Sequence, residues 1–157
     1  MSTILLDTHI NAPLERVFDL ARSIDLHMDG TKGTDEKVVA GRRSGLIGLG
    51  ETVTWEARHF GVRQQLESEI TAFKYPIMFE DTMLRGAFKR LRHVHSFEQT
   101  EEGTLMRDNF CYEAPCGVFG KLAEQVFLTR YLRRFIKMKN AHLKAIAESD
   151  EWGKYLL

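Results

Sequence analysis

Leu91-Arg92-His93-Val94-His95-Ser96-Phe97 and Met106-Arg107-Asp108-Asn109-Phe110-Cys111-Tyr112, joined through the turn signal Glu101-Glu102-Gly103, decide how this chain is read. Both stretches alternate with a period of two, the repeat of a strand whose side chains point to opposite faces. Two such runs around a short Gly-containing turn predict a hairpin. In the first run Leu91 and Phe97 share their phase with His93 and His95. In the second, Met106, Phe110 and Tyr112 share theirs with Asp108. Large apolar groups belong on the buried face, so the polar groups in phase with them go there too. Burying such groups is costly unless they are paired or used. The pattern therefore predicts a polar-lined interior cavity.

Strand signals extend upstream of this hairpin. Residues 51–60 place Val53, Trp55, Ala57 and His59 on one face, and Gly61 allows a tight turn into residues 62–73. There Val62, Leu66 and Ile70 are expected inside, with Gln64 and Ser68 in phase and Arg63, Gln65, Glu67 and Glu69 in water. Pro76 breaks the run, and residues 77–85 resume it with two competing phases, Asp81 with Met83 or Met78 with Leu84. Residues 36–40 are a further modest strand. Short strands joined by brief turns imply an antiparallel meander.

The chain opens with another strand, in which Ile4, Leu6, Thr8 and Ile10 alternate with Thr3, Leu5, Asp7 and His9. Asn11-Ala12-Pro13 ends it, and Pro13 with Glu15 suits a helix start. Leu14, Val17, Phe18 and Ala21 form a helical stripe, with a second short turn of helix at residues 24–28. After Pro115 and Gly117 a long helix is predicted over 118–148, with Leu128, Tyr131, Leu132, Phe135, Met138, His142 and Ile146 on one face. About 30 helical residues would run roughly 45 Å, enough to cross a curved sheet. Such an apolar face needs a partner surface, and the meander provides it.

Composition narrows the function classes. At 157 residues the chain fits one domain over 1–157, able to bury roughly 70% of its unfolded surface. Twenty-two Lys and Arg balance 22 Asp and Glu, so no overall charge favours DNA or an anionic membrane. The first residues lack the basic start and apolar run of a signal peptide, and no apolar stretch approaches the roughly 20 residues of a transmembrane span. Cys111 and Cys116 lack metal-ligand spacing and read as reduced thiols of a cytoplasmic protein.

The order strand, short helices, meander and long helix resembles the helix-grip fold of the START-like, or SRPBCC, superfamily. Ile10-Asn11-Ala12-Pro13-Leu14-Glu15-Arg16-Val17-Phe18 is similar to that superfamily's lead-in to its first helix. Gly103-Thr104-Leu105, Asp108, Tyr112-Glu113-Ala114-Pro115 and Gly117 resemble its last strand and the turn into its final helix. The glycine-rich Gly45-Leu46-Ile47-Gly48-Leu49-Gly50 sits where many members carry such a loop. The resemblance spans essentially the whole chain and is nearest to bacterial polyketide cyclase/dehydrase-like members. It implies an α+β fold, a curved sheet of about seven strands around a long C-terminal helix, and a cavity between them. Members of the superfamily include lipid carriers, hormone and quinone binders, cyclases, dehydratases and chaperone activators, so function rests on the site.

In such a cavity the concave face presents Trp55, His59, Gln64, Asp81, Met83, His93, His95, Asp108, Phe110 and Tyr112. Apolar walls with a few convergent polar groups suit a small-molecule site. Trp55, Met83, Phe110 and Tyr112 are expected as walls, and His59, Asp81, His93, His95 and Asp108 as the groups that orient a ligand. The expected partner is a hydrophobic or aromatic small molecule, with no cofactor; a homodimer is left open. A second reading makes His93 or His95, oriented by Asp108 or Asp81, the acid–base group of a cyclase or dehydratase. A structural hydrogen-bond network among the same residues is the bland alternative. His93, His95 and one carboxylate could ligate zinc, but no other motif supports a metal and none is expected.

Two surface features complete the reading. The glycine run lacks a phosphate loop's ending; it is read as a rim loop with apolar tips Leu46, Ile47 and Leu49, or as a tight connection. Arg85, Lys89, Arg90 and Arg92, with Arg130, Arg133, Arg134 and Lys137, are expected in solvent, or as the docking face of a ribosome- or chaperone-associated module.

Overall fold

A computed structural model describes residues 1–115, 121–122 and 124–157. The elements run β1 (Ser2–Ile10), α1 (Leu14–Ala21), α2 (Ile24–Asp29), a 3-10 turn (Lys32–Thr34), β2 (Lys37–Gly41), β3 (Thr52–His59), β4 (Val62–Lys74), β5 (Met78–Arg85), β6 (Arg90–Thr100) and β7 (Gly103–Glu113). A π-wound segment (Glu124–Leu128) then leads into α3 (Thr129–Ala147), followed by a 3-10 turn (Asp150–Trp152) and α4 (Gly153–Leu156). The sheet has seven strands in the order β1-β7-β6-β5-β4-β3-β2. Every neighbouring pair is antiparallel. This is an α+β helix-grip architecture.

Strand phase decides what is buried. Ile4, Leu6 and Ile10 of β1 and Val53, Trp55 and Ala57 of β3 are buried, as is Phe79 of β5. That settles β5: Phe79 and Asp81 face inward, and Leu84 is exposed. Register shifts between Glu67 and Ser68 and between Ile70 and Ala72 mark irregularities in the β4–β5 pairing, which alternation alone cannot locate. At the start of β7, Gly103 has φ +147, and a Cβ there would lie 2.3 Å from the Ile10 carbonyl oxygen. Only glycine lets β7 begin this close to the end of β1.

The short helices seal one end. Ser23 caps α2 by accepting a hydrogen bond from the Leu26 amide at 3.2 Å, satisfying one of the orphan donors of a helix start. Phe18 of α1, fully buried, makes edge-on contacts with Phe73, Tyr75, Phe79 and Phe97. Edge-to-face pairs of this kind are favourable beyond their buried area.

Three expectations need correction. Val62 is 58% exposed, because it stands at the tip of the β3–β4 hairpin, where the strand has run beyond its cover. Met138 is 42% exposed, and the buried stripe of α3 is Leu132, Ile136, Asn140, Leu143, Ile146 and Ala147. Spacings of three and four keep those residues on one face, and Met138 falls outside it. Ile47 is a core residue rather than a tip: its amide donates to the Arg22 carbonyl at 3.1 Å, and the Ser23–Leu46 bridge pins the loop to the α1–α2 junction. The long C-terminal helix is present: residues 121–122 are α-helical, Glu124–Leu128 is π-wound, and regular α-helix runs over Thr129–Ala147, 19 residues, or roughly 28 Å. Residues 118–120 and 123 of the predicted longer helix, with Cys116 and Gly117, lie outside the described residues. The closing 3-10 turn and α4 carried no sequence signal, yet Trp152, Tyr155 and Leu156 pack against the core.

Candidate functional site

Between the concave face of the sheet and α3 lies a cavity of about 260 Å³. Most of its wall is apolar, with Leu26, Trp55, Ala57, Phe79, Phe110 and Leu143 among the lining. It reaches the surface beside Phe60 and Gln65, both exposed. Three groups of polar side chains interrupt the apolar wall.

The first comes from the β5–β6–β7 register. Asp81 pairs with His93 across one ladder, and His95 with Asp108 across the next. His93 Nε2 is 2.8 Å from Asp108 Oδ1, His95 Nδ1 is 3.1 Å from the same oxygen, and His95 Nε2 is 3.1 Å from Asp81 Oδ2. The amide of Asn140, on α3, donates to Asp108 Oδ2 at 2.6 Å and reaches Thr8 Oγ1 at 3.2 Å. Asp108 is 2% exposed and needs these donors. Burial alone would raise its pKa, but hydrogen bonds from His93 and His95 hold it well below the carboxylate range. Burial works against a charge on His95 too, yet hydrogen bonds to Asp108 and Asp81 outweigh it and push its pKa up to about 9. His93 goes the other way: burial, then the positive charge of His95, lower it. Asp81, His93 and His95 each offer one ligand atom, all within 4.8 Å of one another.

The second group joins α2, α3 and the residue before β2. Glu36 Oε1 is 2.5 Å from His27 Nε2 and 3.8 Å from the Lys139 ammonium, which also contacts His27. His27 stacks on Trp55 with ring centroids 4.0 Å apart. Burial lowers the pKa values of both His27 and Lys139. For Glu36, burial opposes ionisation, but the charges of Lys139 and His27 prevail and hold it at about 2.

The third group sits near the mouth. His59 Nδ1 is 2.5 Å from the Tyr131 hydroxyl, and burial lowers the His59 pKa and raises that of Tyr131. Beside them the Phe60–Gly61 turn has positive φ at both residues, +52 and +74, as a two-residue type I′ hairpin requires. Phe60 packs there on Tyr131 and Phe127.

Of the residues singled out by strand phase, Trp55, His59, Gln64, Asp81, His93, His95 and Phe110 line the cavity. Asp108, Met83 and Tyr112 stand behind the wall. Asp108 is covered by the two histidines and Asn140, Met83 packs with the cluster of Ile4, Leu91 and Phe110, and the Tyr112 hydroxyl bonds Thr129 Oγ1 at 2.6 Å. Sequence reasoning missed His27, Glu36, Lys139 and Asn140. For Lys139 and Asn140 a signal existed, since both continue the stripe of Leu132, Phe135 and Ile136. Glu36, read only as the first residue of a modest strand and placed by the structure just before β2, carried none. On the outer surface Arg92 pairs with Glu80 at 2.5 Å and Lys89 with Glu113 at 2.9 Å, which partly neutralises that basic run.

Among the described residues no helix is long and apolar enough to cross a membrane. No curated protein matches the chain by sequence. Among solved structures, TTHA0849 from Thermus thermophilus superposes with a TM-score of 0.71 at 19% identity, covering 93% of this chain and 99% of that one. CV1439 from Chromobacterium violaceum gives 0.71 at 16%, with 94% and 99% covered. Ginseng major latex-like protein 151 from Panax ginseng gives 0.71 at 16%, with 94% and 98% covered. These likenesses show the helix-grip fold. The family model for polyketide cyclase/dehydrase and lipid transport matches residues 2–148, and the chain belongs to that family.

Proposed function

We propose that this protein binds a small hydrophobic or aromatic molecule in the cavity between the sheet and α3, with the ligand's polar end turned toward Asp81, His93 and His95. The observation that carries the reading is the cavity itself, about 260 Å³, apolar over most of its wall and polar at defined places. Small-molecule sites combine these two features, and their volumes run from roughly 300 to 1,000 Å³. A volume near the lower end favours a compact one- or two-ring compound over a long acyl chain. The balanced net charge and the reduced-thiol reading fit a cytoplasmic protein that does not act on DNA.

Native mass spectrometry of protein purified without denaturation tests this. The expected result is a retained organic molecule that denaturing solvent releases. If the protein emerges empty, an aromatic panel should still raise its thermal stability. Saturation at 100 times Kd corresponds to about 2.7 kcal/mol. A protein that is empty and gains no stability from any member of the panel would refute the reading.

A second reading is favoured by one specific contact. His93 Nε2 lies 2.8 Å from a carboxylate that faces away from the cavity, while its ring lines the cavity. That is the arrangement of a general base held in orientation by an acid behind it. In this reading the bound compound is also a substrate, and the protein catalyses a cyclisation or dehydration. Turnover of a retained compound that His93→Gln abolishes, while binding persists, distinguishes catalysis from carriage.

A further inference from the structure

We propose that Asp81, His93 and His95 form a site for one divalent transition-metal ion, bound by the Asp81 carboxylate and one nitrogen of each imidazole, with Asp108 orienting both rings from behind.

The positions of the hydrogens lead to this. Asp108 Oδ1 faces both His93 Nε2 and His95 Nδ1, at 2.8 and 3.1 Å. A carboxylate oxygen only accepts, so both of these nitrogens carry hydrogen. The second nitrogen of each neutral ring is then a lone pair. On His95 it is Nε2, and it points at Asp81 Oδ2 from 3.1 Å. Two acceptors aimed at each other hold together only around a positive charge, either a proton or a metal ion.

Charge and the groups behind the rings favour the ion. Ligands held 2.0–2.2 Å from a tetrahedral ion lie roughly 3.3–3.6 Å apart, so the 3.1 Å between Asp81 and His95 has to open by a few tenths of an ångström to admit one. One ligand atom from each of the three side chains lies within 4.8 Å of the other two, a gap that side-chain rotation can close. Asp81 and Asp108 together carry two negative charges, which one divalent ion cancels, whereas a single proton on His95 leaves one uncompensated in a buried setting. A histidine whose other nitrogen donates to a carboxylate is the usual outer arrangement of a metal ligand, and both rings have it here. Two imidazoles and a carboxylate suit zinc, iron or nickel better than magnesium or calcium. The three ligands face the cavity and Asp108 lies behind them, so open coordination positions would point toward any bound molecule. Lys139, the nearby cation, is engaged by Glu36. Strand phase alone already offered His93, His95 and one carboxylate as a zinc set; that the ligand is Asp81, with Asp108 behind the rings, is decided only by the register of three strands.

The test uses the purified full chain, stripped with a chelator, titrated with Zn²⁺ by calorimetry and with Co²⁺ by visible absorption. One ion per chain is expected, with a Co²⁺ spectrum of nitrogen and oxygen ligands. Asp108→Asn should weaken binding about 10–100-fold. Asp81→Asn and His95→Gln should weaken it further and abolish the Co²⁺ bands, while His9→Gln, exposed on β1, leaves both unchanged. Circular dichroism of each variant checks folding, and the near-isosteric Asp81→Asn is decisive if His95→Gln does not fold. No binding, or binding unchanged in a folded Asp81→Asn, overturns the proposal and leaves a proton as the bridge. Neither measurement involves an organic ligand, so the outcome is independent of whether one occupies the cavity.

Discussion

Glu36 enters the fold with its side chain only 6% exposed, between His27 and Lys139. Its pKa falls from an ordinary 4.5 to about 2. A carboxylate whose folded pKa is depressed adds stability that is fully present above its unfolded pKa and disappears as pH falls through the folded value. The ion pair should therefore contribute about 3 kcal/mol above pH 4.5, lost progressively toward pH 2. Part of that gain is offset near neutrality, because burial pushes Lys139 and His27 toward their uncharged forms. Urea unfolding between pH 5 and pH 2 should show this slope in the wild type and a shallower one in Glu36→Gln; equal slopes would mean the carboxylate titrates as in the unfolded chain. Glu36 also marks a limit of sequence reading. His93, His95 and Asp108 were legible because a strand's period forced them onto the face of Leu91, Phe97 and Phe110. A single acid at the edge of a weak strand sets no period, and its partners come from two different helices, His27 of α2 and Lys139 of α3.

In α3 the same contrast appears within one helix. Leu132, Ile136, Leu143 and Ala147 are buried, while Met138 is exposed. Ile136→Ala should destabilise the protein by about 2–5 kcal/mol, and Met138→Ala by less than roughly 0.5 kcal/mol, both read as shifts in the urea midpoint at constant slope. A large loss at Met138 would place the helix in a different rotation. The apolar face was legible in outline, but Tyr131, Phe135 and Met138 look equally apolar in sequence, and only packing distinguishes wall, rim and solvent. β5 was ambiguous for a related reason. Met78 and Leu84 offered a hydrophobic phase as good as that of Asp81 and Met83. What decided it was its pairing with β6, where Asp81 meets His93 and Phe79 meets His95. Because Phe79 then stacks on both His95 and Phe97, the polar group and the core share one row of side chains.

The fold itself was the most legible level. Period-two runs, their turns and a final apolar helix specify an antiparallel sheet that grips a helix, and the seven-stranded order agrees. What that order implies for the history of the chain follows from β1, whose strand neighbour is β7: Ile4 pairs with Phe110 and Ile10 with Thr104. All other strand pairs join consecutive segments and can form as hairpins. Long-range pairings of this kind slow folding toward milliseconds to seconds. Stopped-flow kinetics should give Ile4→Ala a φ-value of about 0–0.3, so that it mainly speeds unfolding, and Phe97→Leu a higher one. The reverse ranking would mean that the sheet starts at its edge. During synthesis β1 is therefore made before every other strand of the sheet yet paired only after β7 emerges. Until then the nascent chain carries Ile4 and Leu6 uncovered, a sticky leading segment that a chaperone or a neighbouring nascent chain could capture before its own last strand arrives.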